Sequence, residues 1–201
     1  MLASSGDCHI PSRFSKFNCY CFANSSTSTS DPNCFFISHR VMYNTYMLKN
    51  KFISFLIFAI ATYSASFIGG ISTISSKEPW YSSLNKSILT PPDWIFAPVW
   101  TTLYLFMAIA IWSAWHKNYK NINIILIYFI HLLFNTTWSI VFFVFHNIFL
   151  AFVNLIIIII FIIFLTVKFK KISILSYYLM IPYLLWSCYA LILNATLLYL
   201  N

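Results

Sequence analysis

The chain has 201 residues, 60% of them hydrophobic and only 8% charged, with four acidic residues against twelve Lys and Arg. A water-soluble domain carries roughly 25% charged residues to dress its surface, so most of this chain requires lipid as its solvent. The same composition excludes a disulfide framework. The net charge of +8 is scattered between apolar runs and forms no basic face, which excludes a nucleic-acid partner.

Residues 1–46 contain Cys8, Cys19, Cys21 and Cys34, a Ser/Thr/Asn tract from Asn24 to Ser30, and no helical periodicity, so disorder is expected. Cys19 and Cys21 are too close in sequence for a common zinc spacing, and no metal site is expected. Arg13, Lys16 and Arg40 among many serines suit an organellar transit sequence, although Asp7 and Asp31 argue against one. The alternative is a mis-set start, with Met47 as the initiator directly before the first apolar run. The expected organisation is therefore 1–46 as a disordered extension or a mis-set start, and 47–201 as a membrane domain.

Five apolar segments follow, cut at the polar residues: Phe52 to Ile74, Trp94 to Trp115, Ile122 to Phe143, Ile148 to Val167 and Ile172 to Leu200. Each is long enough to cross the hydrocarbon layer as a helix. The fourth contains the β-branched run Ile156 to Ile160, but lipid requires every backbone group to be satisfied within its own segment, which decides for a helix. The expected fold class is all-α, an integral multi-pass bundle of five transmembrane helices. Lys49, Lys51, Lys117, Lys120, Lys168, Lys170 and Lys171 fall on one side, against Lys77 and Lys86 on the other. In a bacterial inner membrane this puts the amino terminus in the cytoplasm and the long first loop opposite; in an organellar outer membrane the rule guides far less.

No Asp, Glu, Lys or Arg lies inside any segment, which excludes paired-carboxylate catalysis, and no Gly-x-Ser-x-Gly, His-Glu-x-x-His or phosphate loop is present. Cys188 reads as a packing residue. The segments instead carry aromatic stripes with a few polar handles. His131, Asn135, Trp138 and Phe142 share one face of the third segment. Asn135 must meet a partner helix or a ligand, because an unpaired amide in hydrocarbon costs several kcal/mol. His131 reads as a hydrogen-bonded bundle histidine, with haem ligation as the alternative. Trp100, Tyr104 and Met107 form a stripe on the second segment, and Pro182, Trp186, Tyr189 and Leu193 another on the fifth, where Pro182 is expected to kink the helix. The stripes suit either a packed core or a pocket for a flat apolar ligand. Ala61, Ala65 and Gly69, with Ser66 and Gly70, permit close helix approach, either internally or at a dimer interface.

The first loop and the start of the second segment read Trp80-Tyr81-Ser82-Ser83-Leu84-Asn85-Lys86-Ser87-Ile88-Leu89-Thr90-Pro91-Pro92-Asp93-Trp94-Ile95-Phe96-Ala97-Pro98-Val99-Trp100-Thr101-Thr102-Leu103-Tyr104. This closely resembles the signature of the TspO/MBR family, the translocator protein or peripheral-type benzodiazepine receptor. Leu133 to Ser139 ahead of Phe142-Phe143, and Pro182 to Asn194, are similar to two further blocks of that family, so the resemblance spans Met47 to Asn194. It implies a five-helix bundle, commonly a homodimer in membrane lipid, that binds porphyrins, haem and benzodiazepine-type ligands. The ligand-binding residues it implies are Trp80, Trp100, Asn135, Trp138, Trp186, Ala190 and Leu193, to which the stripe adds Tyr104. Tyr81, Lys86, Pro91 and Pro92 would form a loop lid over the pocket.

The implied function is a tetrapyrrole-binding receptor or translocator for porphyrin handling or stress sensing, with protoporphyrin IX or haem as the ligand and no required cofactor. The alternatives are a sensor that acts through a protein partner without transport, and a light-dependent porphyrin-degrading enzyme in which Trp100 and Trp138 are the candidate photochemical residues. Departures from the family pattern include Ser87 in place of Pro, expected to loosen the lid, His131 in place of a frequent Gln, Phe134 in place of Leu, and Asn154 in place of a frequent acid. The family's sterol pattern is incomplete, since Tyr199 is followed only by Leu200 and Asn201.

Overall fold

The computed structural model describes residues 50–117 and 122–201; the expectations for residues 1–46 lie outside the described residues. Five helices are long and apolar enough to cross a membrane. They are α1 (Lys51–Ser76), α2 (Phe96–Lys117), α3 (Ile122–Ser139), α4 (Ile148–Lys170) and α5 (Ile174–Leu200). No strand occurs among the described residues. The protein is thus an all-α, integral multi-pass membrane protein.

The helix starts follow local chemistry. The Asn50 side chain accepts from the backbone N–H groups of Phe52 and Ile53, Asn147 from that of Leu150 and Ser173 from that of Ser176, each satisfying donors that a first turn leaves free. A 3₁₀ turn at Asp93–Ile95 leads into α2, whose Pro98 lies in the first turn, where its missing N–H costs nothing. α3 does not run as a plain α-helix to Phe143 as its hydropathy suggested. It continues from Ser139 into a π-helical stretch, Ile140–Val144, closed by Phe145 N–H donating to Ile140 C=O at 3.1 Å. Pro182 lies inside an uninterrupted α5.

Because lipid offers no hydrophobic drive between helices, small residues and hydrogen bonds must hold them. Ser54 meets His116 at 2.7 Å and Thr62 meets Tyr128 at 2.7 Å, tying α1 to α2 and to α3. Ser176 donates to the Ala110 carbonyl at 2.7 Å, tying α5 to α2. Thr136 of α3 donates to the Ala65 carbonyl at 3.3 Å, and a Cβ on Gly69 would lie 3.2 Å from Ser139 Oγ. Ala65 and Gly69 therefore serve close packing of α1 on α3. Large apolar side chains such as Phe52, Ile60, Phe67, Ile160 and Leu185 stay exposed, as a surface solvated by acyl chains requires.

The bundle has two distinct ends. One gathers Lys51, Lys117, Lys168, Lys170 and Lys171; the other gathers the first loop, the α3–α4 turn and the carboxyl terminus. At the loop end Trp80 stacks on His146, 4.3 Å away, and Asn85 exchanges hydrogen bonds with Asn201. His146 holds φ at 53°, the left-handed turn conformation that is uncommon outside glycine but in which His is one of the enriched residue types.

Gly69→Leu is expected to lower unfolding stability by about 1–3 kcal/mol through overpacking against Ser139. Gly70→Ala, whose Cβ meets nothing within 4 Å, should leave stability unchanged or slightly higher. Thermal unfolding in detergent, followed by circular dichroism, checks both.

Candidate functional site

Between the helices, below the first loop, lies a cavity of about 440 Å³, within the range of small-molecule sites. α2 contributes Phe96, Trp100 and Tyr104, and α3 with its π-helical extension contributes Asn135, Trp138, Phe142 and Phe143. α5 supplies Trp186, Ala190, Leu193, Asn194 and Leu197, while α4 closes the wall with Leu155 and Ile158. The α1 side is lined by Ser66, Gly69, Gly70 and Thr73, whose small size leaves the space open. From the loop come Lys77, Tyr81, Thr90 and Asp93.

Seven of the ligand-binding residues named from sequence thus share one wall: Trp100, Tyr104, Asn135, Trp138, Trp186, Ala190 and Leu193. Trp80 does not line the cavity. It sits one layer outward, edge-on to Phe142 at 5.3 Å and stacked on His146, so it braces the lining rather than forming it. Met107 is fully buried in the core beneath. Tyr189 turns to the loop, donating to the Leu89 carbonyl at 2.7 Å.

Of the four lid residues, Tyr81 faces the cavity, whereas Lys86, Pro91 and Pro92 do not line it. The Lys86 ammonium lies over the Tyr81 ring, 4.0 Å from its centroid, and the same ring packs on Phe142 and Phe143. Burial, reinforced by the Asp93 and Glu78 carboxylates, pushes the Tyr81 phenol up to about 12, so the ring is neutral at physiological pH. Lys77 pairs with Asp93 across the loop. Ser87 builds a turn: its Oγ accepts from Leu89 N–H at 3.2 Å, and its carbonyl accepts from Thr90 N–H at 2.9 Å.

Beneath the cavity runs a buried polar network. Tyr104 OH donates to Asn135 Oδ1, and Asn135 Nδ2 donates to Tyr183 OH at 2.8 Å. Tyr183 OH also bonds His131 Nε2 at 2.7 Å. Asn135 is therefore met by partner helices α2 and α5, with both ends of its carboxamide engaged. His131 is fully buried, bonded to Tyr183 and absent from the cavity wall, so it does not present a nitrogen to a ligand's metal. Asn154 donates to the Phe134 carbonyl at 3.3 Å, a second cross-link, between α4 and α3.

Other polar groups on the cavity wall are not used by the fold. Trp138 Nε1, Trp186 Nε1 and both amide atoms of Asn194 are buried and have no hydrogen-bond partner among the described residues. Each such group costs about 1–3 kcal/mol if left dry. Asn194 was not among the sequence-named binding residues, although its spacing of four from Ala190 and eight from Trp186 sets it on their face. Among the described residues no group of three or more His, Cys, Asp or Glu is placed to hold a metal ion.

A model of the TspO/MBR family matches residues 55–200 of this chain. Tryptophan-rich protein TspO of Chlorobaculum tepidum is 34% identical over 142 residues, covering 69% of this chain and 89% of that protein. The protein of the same name from Archaeoglobus fulgidus is 33% identical over 71% of this chain and 93% of its own length. The Homo sapiens translocator protein is 28% identical over 68% of this chain and 83% of its own length.

Tyr183→Phe strands both Asn135 Nδ2 and His131 Nε2. It is expected to lower unfolding stability by about 1–3 kcal/mol, whereas Tyr178→Phe at a lipid-exposed position should change it by less than about 0.5 kcal/mol. Denaturation of the two variants side by side in one detergent checks this.

Proposed function

Because the chain belongs to the TspO/MBR family, we propose that it is a membrane receptor whose cavity binds a tetrapyrrole, protoporphyrin IX or haem. Relatives named translocator protein and tryptophan-rich sensory protein support a receptor or sensor role. The observation that carries the ligand reading is the set of three indoles, Trp100, Trp138 and Trp186, around one apolar cavity. Indole faces stack on flat conjugated rings through dispersion and quadrupole attraction. Among the described residues the cavity wall has no His or Cys, so in this reading the ring face and its substituents provide the contacts.

One contact favours the light-dependent degradation reading as a second possibility. Trp100 lies 5.9 Å from the Tyr104 ring and 6.3 Å from the Tyr183 ring, so an indole oxidised by an excited porphyrin has aromatic neighbours to share the electron deficit. Trp138, the other photochemical candidate, stacks at 5.2 Å on Phe142, which has no comparable donor group.

The test is protoporphyrin IX titration of the protein in lipid nanodiscs, read by indole quenching in darkness. Saturable quenching is expected, with affinity falling about two- to tenfold in Trp100→Ala, as loss of one stacked ring implies. Quenching that never saturates, and is the same in the variant, contradicts the tetrapyrrole reading. New absorbing products under illumination, lost in Trp100→Phe, would favour the degradation reading over the receptor reading.

A further inference from the structure

The network beneath the cavity consumes Asn135, whereas the carboxamide of Asn194 is only 3% exposed, lines the same cavity and finds no protein partner among the described residues. The buried Nε1 donors of Trp138 and Trp186 are in the same condition. From this we infer that Asn194, with these two indole N–H groups, is the polar recognition edge of the cavity, and that it takes a ligand bearing a carboxylic acid or carboxamide group. The inference rests on the cavity being the binding site, as proposed above, but not on the ligand being a tetrapyrrole.

The chemistry follows from the inventory of donors and acceptors. A carboxamide offers an acceptor oxygen beside a two-hydrogen donor nitrogen, and its matching partner also carries an acceptor beside a donor. A protonated carboxylic acid or a primary amide has that pattern. An ether or a lone ketone has only the acceptor half and would leave Asn194 Oδ1 dry. The two indoles add donors without adding an acceptor, so the ligand edge must be rich in oxygen acceptors. Trp186 and Asn194 are eight residues apart on α5, about 12 Å along the axis. They therefore serve separate groups of an elongated ligand rather than one atom. Asn135 is a positioning residue in this scheme, holding Tyr104 and Tyr183 in place below the ligand.

Two probe pairs in nanodiscs test the inference on the intact chain. Protoporphyrin IX and octaethylporphyrin share a ring but differ in carboxyl groups; 2-naphthamide and 2-methylnaphthalene differ in the amide. Asn194→Leu, close in shape, is expected to weaken the carboxyl- or amide-bearing member of a pair about tenfold, the worth of two hydrogen bonds, and the apolar member by less than about twofold. Trp186→Phe keeps the ring and removes the N–H, and should show the same selectivity to a smaller degree, so the test survives if the Asn194 variant does not fold. Selective loss in either pair supports the inference. Loss in the naphthalene pair while neither porphyrin saturates the unmodified protein supports it and overturns the tetrapyrrole reading. Equal effects on both members in every pair, or none, overturn it.

Discussion

The carboxamide of Asn135, held between Tyr104 and Tyr183 with His131 behind, is the constraint on which the rest of the bundle depends. In a bilayer neighbouring helices gain little by hiding apolar side chains from lipid, so a buried polar group is both a liability and the strongest available connector. An asparagine at mid-bundle must be paired, and here its two ends are paired to two different helices. That fixes α2, α3 and α5 against one another at one level, and the cavity opens above that level because the aromatic side chains there are held apart.

A division of labour among the polar side chains follows. Thr62, Ser54 and Ser176 stitch helices pairwise, as does the Asn154 amide nitrogen, although Asn154 Oδ1 is left without a partner among the described residues. Asn194, Trp138 and Trp186 do the opposite: they line the cavity and carry buried hydrogen-bonding atoms without a protein partner among the described residues. The small residues of α1 divide in the same way: Gly69 admits Ser139 of α3, while Gly70 meets no side chain and widens the cavity. Above, the loop is fastened by Tyr189 to Leu89, by Asn201 to Asn85 and by the Lys77–Asp93 pair, with Tyr81 on the cavity wall.

The five spans were legible in the sequence because lipid demands long apolar runs and sets their length, and the observed helices differ from those runs by a few residues at each end. The π-helical end of α3 was not legible, since Ile140 to Val144 is as apolar as any helix and its widened hydrogen bonding answers to the turn that follows. The cavity wall was largely legible, because indoles at helical spacing, one in each of three family blocks, pointed to Trp100, Trp138 and Trp186. The reach of the loop was not: Trp80 stands at the head of the signature yet packs outside the cavity on His146, a contact between segments far apart in sequence. The roles of the two asparagines were not legible either. Residue type says that each needs a partner, but whether protein or ligand supplies it depends on which tyrosines the fold brings near.

A double-mutant cycle on Tyr104 and Asn135, read as unfolding free energy in detergent, tests this account most directly. If the carboxamide is the cross-link, Tyr104→Phe and Asn135→Ala are coupled by about 0.6–1.7 kcal/mol, the range of interhelical hydrogen bonds in membranes. Effects that add to within about 0.3 kcal/mol would mean that the two side chains do not support each other, and would contradict the account.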